Sequence, residues 1–474
     1  MISRRTPAVR ALPFPQSPGV PLSDRPRNYR IIALVVAFAL FMQQLDATVL
    51  TIALPAMAHD LGVTASSLSL ALTAYLVSLA VFIPASGRLA DRFGSRTVFC
   101  GAIAVFMAGS IACAQSSSLA ILVAARFLQG LGGAMMVPVG RLVLLRSVDR
   151  QDLVAALSWL VMPALVGPIV GPPLGGLIVT YLDWRWIFYI NIPIGVAGLI
   201  LSLLLIPQVK EDEPGRFDGK GFILSGMALG CLIFGFELAS RPLPIPAIVL
   251  LLGSGVALAF AYLRHARRVS DPILDLSLLR IPTFGLSVAA GNLARITQGA
   301  QPFLLPLLFQ IGLGLSAATT GTIMMTSAVG ALAMKPIAPA IIRRFGYRDS
   351  LTVGTLAASI GYASCAFFRP DWPLAAIVAI LVASGFFMSF LFTAYNAVAF
   401  VDVEPSRMSA ATSIYATIQQ LSLSLGICVA AAALELGMRP SEAYRGFVIA
   451  FLLVSAISAG ATILNRRIAV NAGM

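Results

Sequence analysis

The chain has 474 residues, 58% hydrophobic and 11% charged, with a mean hydropathy of +0.90. Soluble domains carry about 25% charged residues, so no ordinary solvated surface can be assembled here and an all-α polytopic membrane protein is expected. The formal net charge of +13 does not point to nucleic acid, because the basic residues sit in short loops between apolar stretches, where they act as orientation signals.

The lysines are Lys210, Lys220 and Lys335, and none closes a phosphate-binding loop; Pro214 stands where the first glycine before Gly219-Lys220 would be needed. Nucleotide hydrolysis is not expected. Polar stretches of roughly 20–30 residues fall well short of a domain of about 50, which excludes an appended soluble enzyme or DNA-binding module. Cys100, Cys113, Cys231, Cys365 and Cys428 all lie in apolar segments and read as buried small hydrophobes. No disulfide framework, metal site or cofactor is expected.

Residues 1–29 hold Arg4, Arg5, Arg10, Arg25 and Arg27 among prolines, without an apolar core and cleavage site. They read as a disordered cytoplasmic tail. Crossing the hydrocarbon core takes about 20 apolar residues, and candidate spans follow in order. Six lie at 30–52, 66–87, 97–115, 119–145, 153–182 and 184–206. Two more lie at 221–238 and 244–263, and six at 283–309, 317–338, 350–368, 373–400, 408–436 and 444–464. An even number puts both termini on one side, and the basic residues make that side cytoplasmic. Most of them then fall in cytoplasmic segments, and few (Arg185, Arg241, Arg369, Arg439, Arg445) fall opposite.

The loop after the second span reads Gly87-Arg-Leu-Ala-Asp91-Arg92-Phe93-Gly94-Ser-Arg96. Ile342-Arg343-Arg344-Phe345-Gly346-Tyr-Arg348 follows the tenth. The shared Arg-Phe-Gly-x-Arg predicts a duplicated six-helix unit with two spans inserted between the copies. The expected divisions are 30–206 and 283–474 for the bundles and 207–282 for the insert and its flanking loops.

Two arginines lie inside spans. Asp46 on the first span and Arg126 on the fourth sit at similar depth at 1.5 Å per residue, so they are expected to interact. A carboxylate whose proton affinity changes between two conformations can carry a proton, which makes the pair the candidate for proton coupling; a static packing pair is the alternative. Asn292, Arg295 and Gln298 step by three along the ninth span, a polar face expected to line a cavity. The planar Arg295 guanidinium suits a carboxylate or phosphate, unless it serves backbone carbonyls at a helix break. Gln43, Gln129, Asn396 and Gln419 are further candidates for substrate contact, though polar side chains also join membrane helices. Glu237 and Glu435, near the outer ends of their spans, are expected to be solvated.

These residues resemble the major facilitator superfamily, and its fourteen-span drug:proton antiporter branch in particular. Gly87–Arg96 is similar to the superfamily's loop motif. Arg126-Phe-Leu-Gln129-Gly130 is similar to its fourth-helix motif, and Gly167-Pro168-Ile-Val-Gly171-Pro172-Pro173-Leu-Gly175-Gly176 to its fifth-helix antiporter motif. Leu45–Pro55 and Trp184–Pro193 are similar to the branch's own signature. The chain departs from the pattern at Arg343 and Pro339 in the second-half loop, and in placing Arg295 at mid-membrane.

The resemblance implies that Gly167, Pro168, Gly171, Pro172, Gly175 and Gly176 seal the cavity of an exporter. It further implies that Gly87, Asp91, Arg92, Gly94 and Arg96 form a cytoplasmic gate. The expected function is proton-driven efflux of small molecules or drugs across the bacterial inner membrane by alternating access. Protons, a small-molecule substrate and the lipid bilayer are then the partners, and the protein is a monomer and no enzyme. The alternatives are a dedicated exporter of organic anions or metal chelates, proton-coupled uptake, and a non-transporting sensor or assembly partner.

Overall fold

Lipid offers no hydrogen bonds, so an apolar chain of this kind satisfies its backbone within helices. The computed structural model describes residues 29–148, 153–210, 217–239, 245–404, 407–437 and 443–469, and these are helical almost throughout. The expected tail lies outside them except for Tyr29, which opens α1.

The first group of helices comprises α1 Tyr29–Asp60, α2 Ser69–Phe93, α3 Ser95–Ala114, α4 Leu119–Ser147, α5 Leu153–Tyr181, the short α6 Trp186–Tyr189 and α7 Asn191–Leu205. Two follow as a pair, α8 Gly219–Ala239 and α9 Ile245–Ala266. The last group is α10 Pro282–Leu307, α11 Ala317–Met334, α12 Ala338–Ser364, α13 Leu374–Ala399, α14 Met408–Gly437, α15 Ala443–Ala459 and the short α16 Ala461–Asn465. Local signals explain several boundaries. The Ser118 and Ser316 hydroxyls accept the Ile121 and Thr319 N–H groups at the starts of α4 and α11. Pro282 occupies the first turn of α10, where its missing N–H costs nothing.

Among the described residues, 12 helical segments are long and apolar enough to cross a membrane. The fourteen expected spans differ from this set at two places. α5, 29 residues long, is represented only through Val166–Tyr181 among its described residues, and α10, 26 residues long, is diluted by Asn292, Arg295, Thr297, Gln298 and Gln301.

Helices α1–α7 pack chiefly on one another, as do α10–α16. Across the two groups the main contacts are α5 with α11 and α2 with α14, while α8 packs on α9, α2 and α14. One large apolar core joins Leu45, Val49 and Leu54 of α1 to Ala294, Phe303 and Phe309 of the second group. A separate core of Val36, Leu40, Phe99, Phe106 and Val143 serves the first group alone. The groups therefore meet at the end that carries Gly176 and Ala317, away from the Asp91 loop.

The repeated Arg-Phe-Gly motif has one backbone shape in both places. Gly94 (φ 91°) makes the turn between α2 and α3, and Gly346 (φ 72°) breaks α12 at the matching position. Only glycine enters this region without a steric cost. Gly87, placed by sequence in the loop after the second span, lies within α2 instead.

Candidate functional site

Asp46, Arg126 and Gln129 come from α1 and α4 and meet in the interior of the first group. Arg126 Nη1 donates to Asp46 Oδ2 at 2.7 Å, and both side chains are 1% exposed. Arg126 also donates to Gln129 Oε1. Gln129 Nε2 donates to Asp46 Oδ1 at 2.8 Å and to Ser110 Oγ of α3 at 2.9 Å. Asn191 Nδ2, at the start of α7, donates to the same two oxygens at 2.9 Å each. The Arg126 guanidinium lies 4.4 Å from the centre of the Tyr75 ring of α2.

One carboxylate on α1 thus receives a charged donor and two amide donors from two other helices, α4 and α7, the arrangement that makes a buried ion tolerable. The expected pairing by depth is what the geometry holds. Gln129, a candidate for cargo contact, is wholly buried and committed to Asp46. Asn191 and Ser110 were not among the sequence candidates. Asn191 lies within the Trp184–Pro193 stretch, so a signal existed; Ser110 stands in an apolar run with none. Arg126 Nε and Asn191 Oδ1 make no hydrogen bond among the described residues.

The second cluster is built on α10. Arg295 is 3% exposed, so it is packed between helices. Its Nη2 donates to Tyr415 Oη of α14 at 2.6 Å, and the guanidinium lies 5.0 Å from the Tyr415 ring centre and 5.9 Å from that of Phe392. Among the described residues it has no carboxylate within ion-pair distance and its Nε has no partner. Lys335, between α11 and α12, places its ammonium 5.6 Å from the same Phe392 ring, and burial pushes that amine below its ordinary value. Beside these, Tyr395 Oη donates to Asn465 Oδ1 at 2.8 Å, and Asn465 Nδ2 donates to Thr355 Oγ1 at 3.1 Å.

Neighbours of Arg295 on its face bind other helices. Asn292 accepts from Ser422 of α14, and Gln298 Nε2 donates to the Met388 carbonyl of α13 at 3.1 Å. Asn396 donates back to Phe392 O on its own helix at 2.5 Å. Gln43 is 8% exposed with its Oε1 unpartnered, and Gln419 is half-buried on α14.

The α5 motif presents two surfaces. Gly167, Gly171 and Gly175 lie against Gln44, Thr48 and Val49 of α1 within the first group. Gly176 faces Ala317 and Ala318, and Pro172 and Pro173 face Gly321 of α11. The Ala318 N–H donates to Thr180 Oγ1 at 3.1 Å, and Gln310 Nε2 donates to the Ile52 carbonyl at 2.9 Å. Gly176 and the prolines, more than the stepped glycines, make the contact between groups.

At the opposite end Asp91 pairs with Arg146 of α4 at 2.6 Å, a partner in its own group rather than across a gate. Arg92 lies over the Phe93 ring, and Arg96 reaches the Ile206 carbonyl at 3.5 Å. Arg88 pairs with Asp271, and Arg407 with Asp275 at 2.5 Å. The segment following α9 is therefore tied to both groups.

A helical membrane fold with charged side chains buried between its helices is the architecture of a membrane transporter. The chain belongs to the Major Facilitator Superfamily, whose profile matches residues 36–427. It is 38% identical to the multidrug resistance protein MdtD of Cronobacter sakazakii over 86% of this chain and 87% of that protein. It is 36% identical to MdtD of Salmonella paratyphi A over 94% and 96%. Among solved structures, a POT family transporter in complex with a thioalcohol-conjugated peptide superposes with a TM-score of 0.69 at 15% identity, covering 92% of this chain and 95% of that one. The human organic anion transporter MFSD10 superposes at 0.61 and 14% identity, over 93% and 100%. These likenesses establish the fold. The protein is a multi-pass membrane transporter and not an enzyme.

Proposed function

We propose that the protein is a proton-driven antiporter that exports small molecules, drugs among them, across the inner membrane by alternating access. In this reading the chain crosses the membrane fourteen times, with α5 and α10 completing the 12 apolar segments. Its termini are cytoplasmic, and two six-helix bundles flank the α8–α9 pair. The protein works as a monomer, and the groups meet at the outer end, which makes this an inward-facing arrangement. The carrying observation is the Asp46–Arg126 pair with its amide ring, 1% exposed on both sides. A proton on Asp46 removes the charge that Arg126 compensates, and the free acceptor Asn191 Oδ1 lies in the same cluster to take a new donor. Similarity to MdtD proteins supports drugs as cargo.

Flux in proteoliposomes under an imposed pH gradient tests this reading with a lipophilic cation as cargo. Native protein should move the cation against its gradient. Asp46→Asn should lose that uphill movement and keep gradient-independent counterflow. Full uphill flux in Asp46→Asn would remove proton coupling from this residue.

A second reading follows from Arg295, a buried cation with no ion pair among the described residues. Together with Lys335 it favours an anionic cargo, an organic acid or a metal chelate. The cargo role of Arg295 is tested in the same assay with a small polycarboxylate, whose movement should be lost in Arg295→Ala.

A further inference from the structure

Of the 12 apolar helical segments α9 is the least covered, with 11% of its apolar stretch buried. It buries only Gly255 and Tyr262, and Ile245, Val249, Leu250, Val256 and Phe260 are all exposed. In a membrane such a face meets acyl chains. The helix ends on the side of the molecule that carries the Asp91 loop, because Asp271, just beyond it, pairs with Arg88 of α2.

There the surface changes character. Phe260, Leu263, Arg264 and Arg267 step by three and four along one face. A turn after the last helical residue, in which the Arg268 N–H donates to the His265 carbonyl at 2.9 Å, brings Arg268 beside them. Together these five residues line a groove of about 250 Å³, and all three arginines are exposed.

Their charge is left uncompensated by the protein around them. The described acidic side chains at this end of the helix pair are committed elsewhere. Asp218 accepts from His265 and from two backbone N–H groups, Asp271 pairs with Arg88, and Asp275 pairs with Arg407 at 2.5 Å. The side chains of Arg264, Arg267 and Arg268 make no ion pair or hydrogen bond among the described residues. A basic residue at a helix C-terminus complements the dipole and helps to orient the chain. Neither role gathers three arginines into a groove with two apolar side chains. Converging positive charge at the membrane boundary, with an apolar wall that continues into the bilayer, matches an anion joined to hydrocarbon.

We propose that this groove binds the headgroup of an anionic phospholipid, with Arg264, Arg267 and Arg268 holding the phosphate and an acyl chain lying along α9. Each guanidinium offers a planar pair of donors to phosphate oxygens, and the arginine stems rest on apolar surface while their heads stay at the polar boundary. Phe260, Val256, Gly253 and Val249 continue the face back along the helix at helical spacing, all of them exposed. Beside Gly253 the surface is open, with nothing within 4 Å of a Cβ placed there. A zwitterionic headgroup brings an ammonium into the same basic field, and a soluble phosphate has nothing to lay against Phe260 and Leu263. The site is separate from the Asp46 and Arg295 clusters and stands whether or not transport is driven by protons.

The test is native mass spectrometry of the full chain in detergent, titrated with phosphatidylglycerol and with phosphatidylcholine of the same acyl chains. A basic residue near a membrane surface contributes about fivefold toward an anionic lipid, so the native chain should hold its tightest phosphatidylglycerol up to about 100-fold more strongly than phosphatidylcholine. Arg264→Gln with Arg268→Gln should cut that preference by about 25-fold on the same scale, and Arg264→Lys with Arg268→Lys should keep most of it. Arg343→Gln with Arg344→Gln removes the same charge from an exposed pair on α12 and should leave the preference intact. A native chain that binds both lipids equally overturns the proposal. So does an equal loss in the two Gln pairs, which would mean diffuse attraction to a basic surface. Free glycerol phosphate binding as tightly as the whole lipid would overturn the lipid assignment in favour of a soluble anion.

Discussion

Arg126 shows how one side chain is held by everything around it. Its charge is cancelled by Asp46, its edge is bound by Gln129 and its face is covered by Tyr75. Removing one member of such a buried pair leaves the other charge uncompensated, which typically costs about 3–5 kcal/mol. Arg126→Leu should accordingly lower the melting temperature in detergent strongly; a variant as stable as the native chain would show that the pair does not stabilise this state. Sequence identified the pair because two charges at one membrane depth have little choice but to meet. Asn191 and Ser110 escaped notice because ordinary polar side chains carry no such cost signal. Glu237, expected to be solvated, is 1% exposed beside Ser69 of α2 and Cys428 of α14: nearness to a helix end predicts water only when no other helix covers that end.

Among elements, the approach of α5 to α11 depends on the absence of side chains. A Cβ placed on Gly321 would fall 2.1 Å from the Pro172 carbonyl oxygen, a backbone atom that cannot swing away. Gly321→Ala should force the two helices apart, raising the separated population reported by spin labels at the exposed loop positions Ser117→Cys and Asp371→Cys; an unchanged distance would mean that this contact does not limit closure. The α5 motif was legible as a glycine and proline pattern. Which of its glycines face α1 and which face α11 was not, because a four-residue step fixes a helix face but not the neighbour it meets.

Across the whole molecule, the segment after α9 links both groups to the inserted pair. Asp218 accepts from His265 at 2.7 Å and from the backbone of Gly221 and Ile273. Burial alone would raise its carboxyl, but these hydrogen bonds outweigh it and hold the value below the usual carboxylate range. Burial opposes ionisation of Asp275 as well, and the Ser277 and Arg407 bonds again prevail. A depressed carboxylate stabilises fully above its unfolded value and loses that contribution as pH falls through the folded one. Hydrogen exchange over 267–281 should therefore be slow and constant near neutrality, with protection lost only in acid below about pH 4, the ordinary carboxylate range. Loss of protection already at mildly acidic pH would assign the tether to other groups. Because the pair is partly exposed, Asp275→Asn should cost no more than about 1 kcal/mol.

The sequence by itself determined the membrane class, the duplicated Arg-Phe-Gly turn and the meeting of Asp46 with Arg126. Each follows from an energy that is large and local: the cost of a bare backbone or charge in lipid, and the φ that only glycine adopts freely. The tertiary structure alone decided that Asp91 pairs within its own group, that Arg295 is enclosed by Tyr415 and Phe392, and that Glu237 is sealed between α2 and α14. Those outcomes depend on which helix faces meet and at which end the groups close. Apolar helices in lipid settle that by shape and packing, for which hydrophobicity along the chain carries no record.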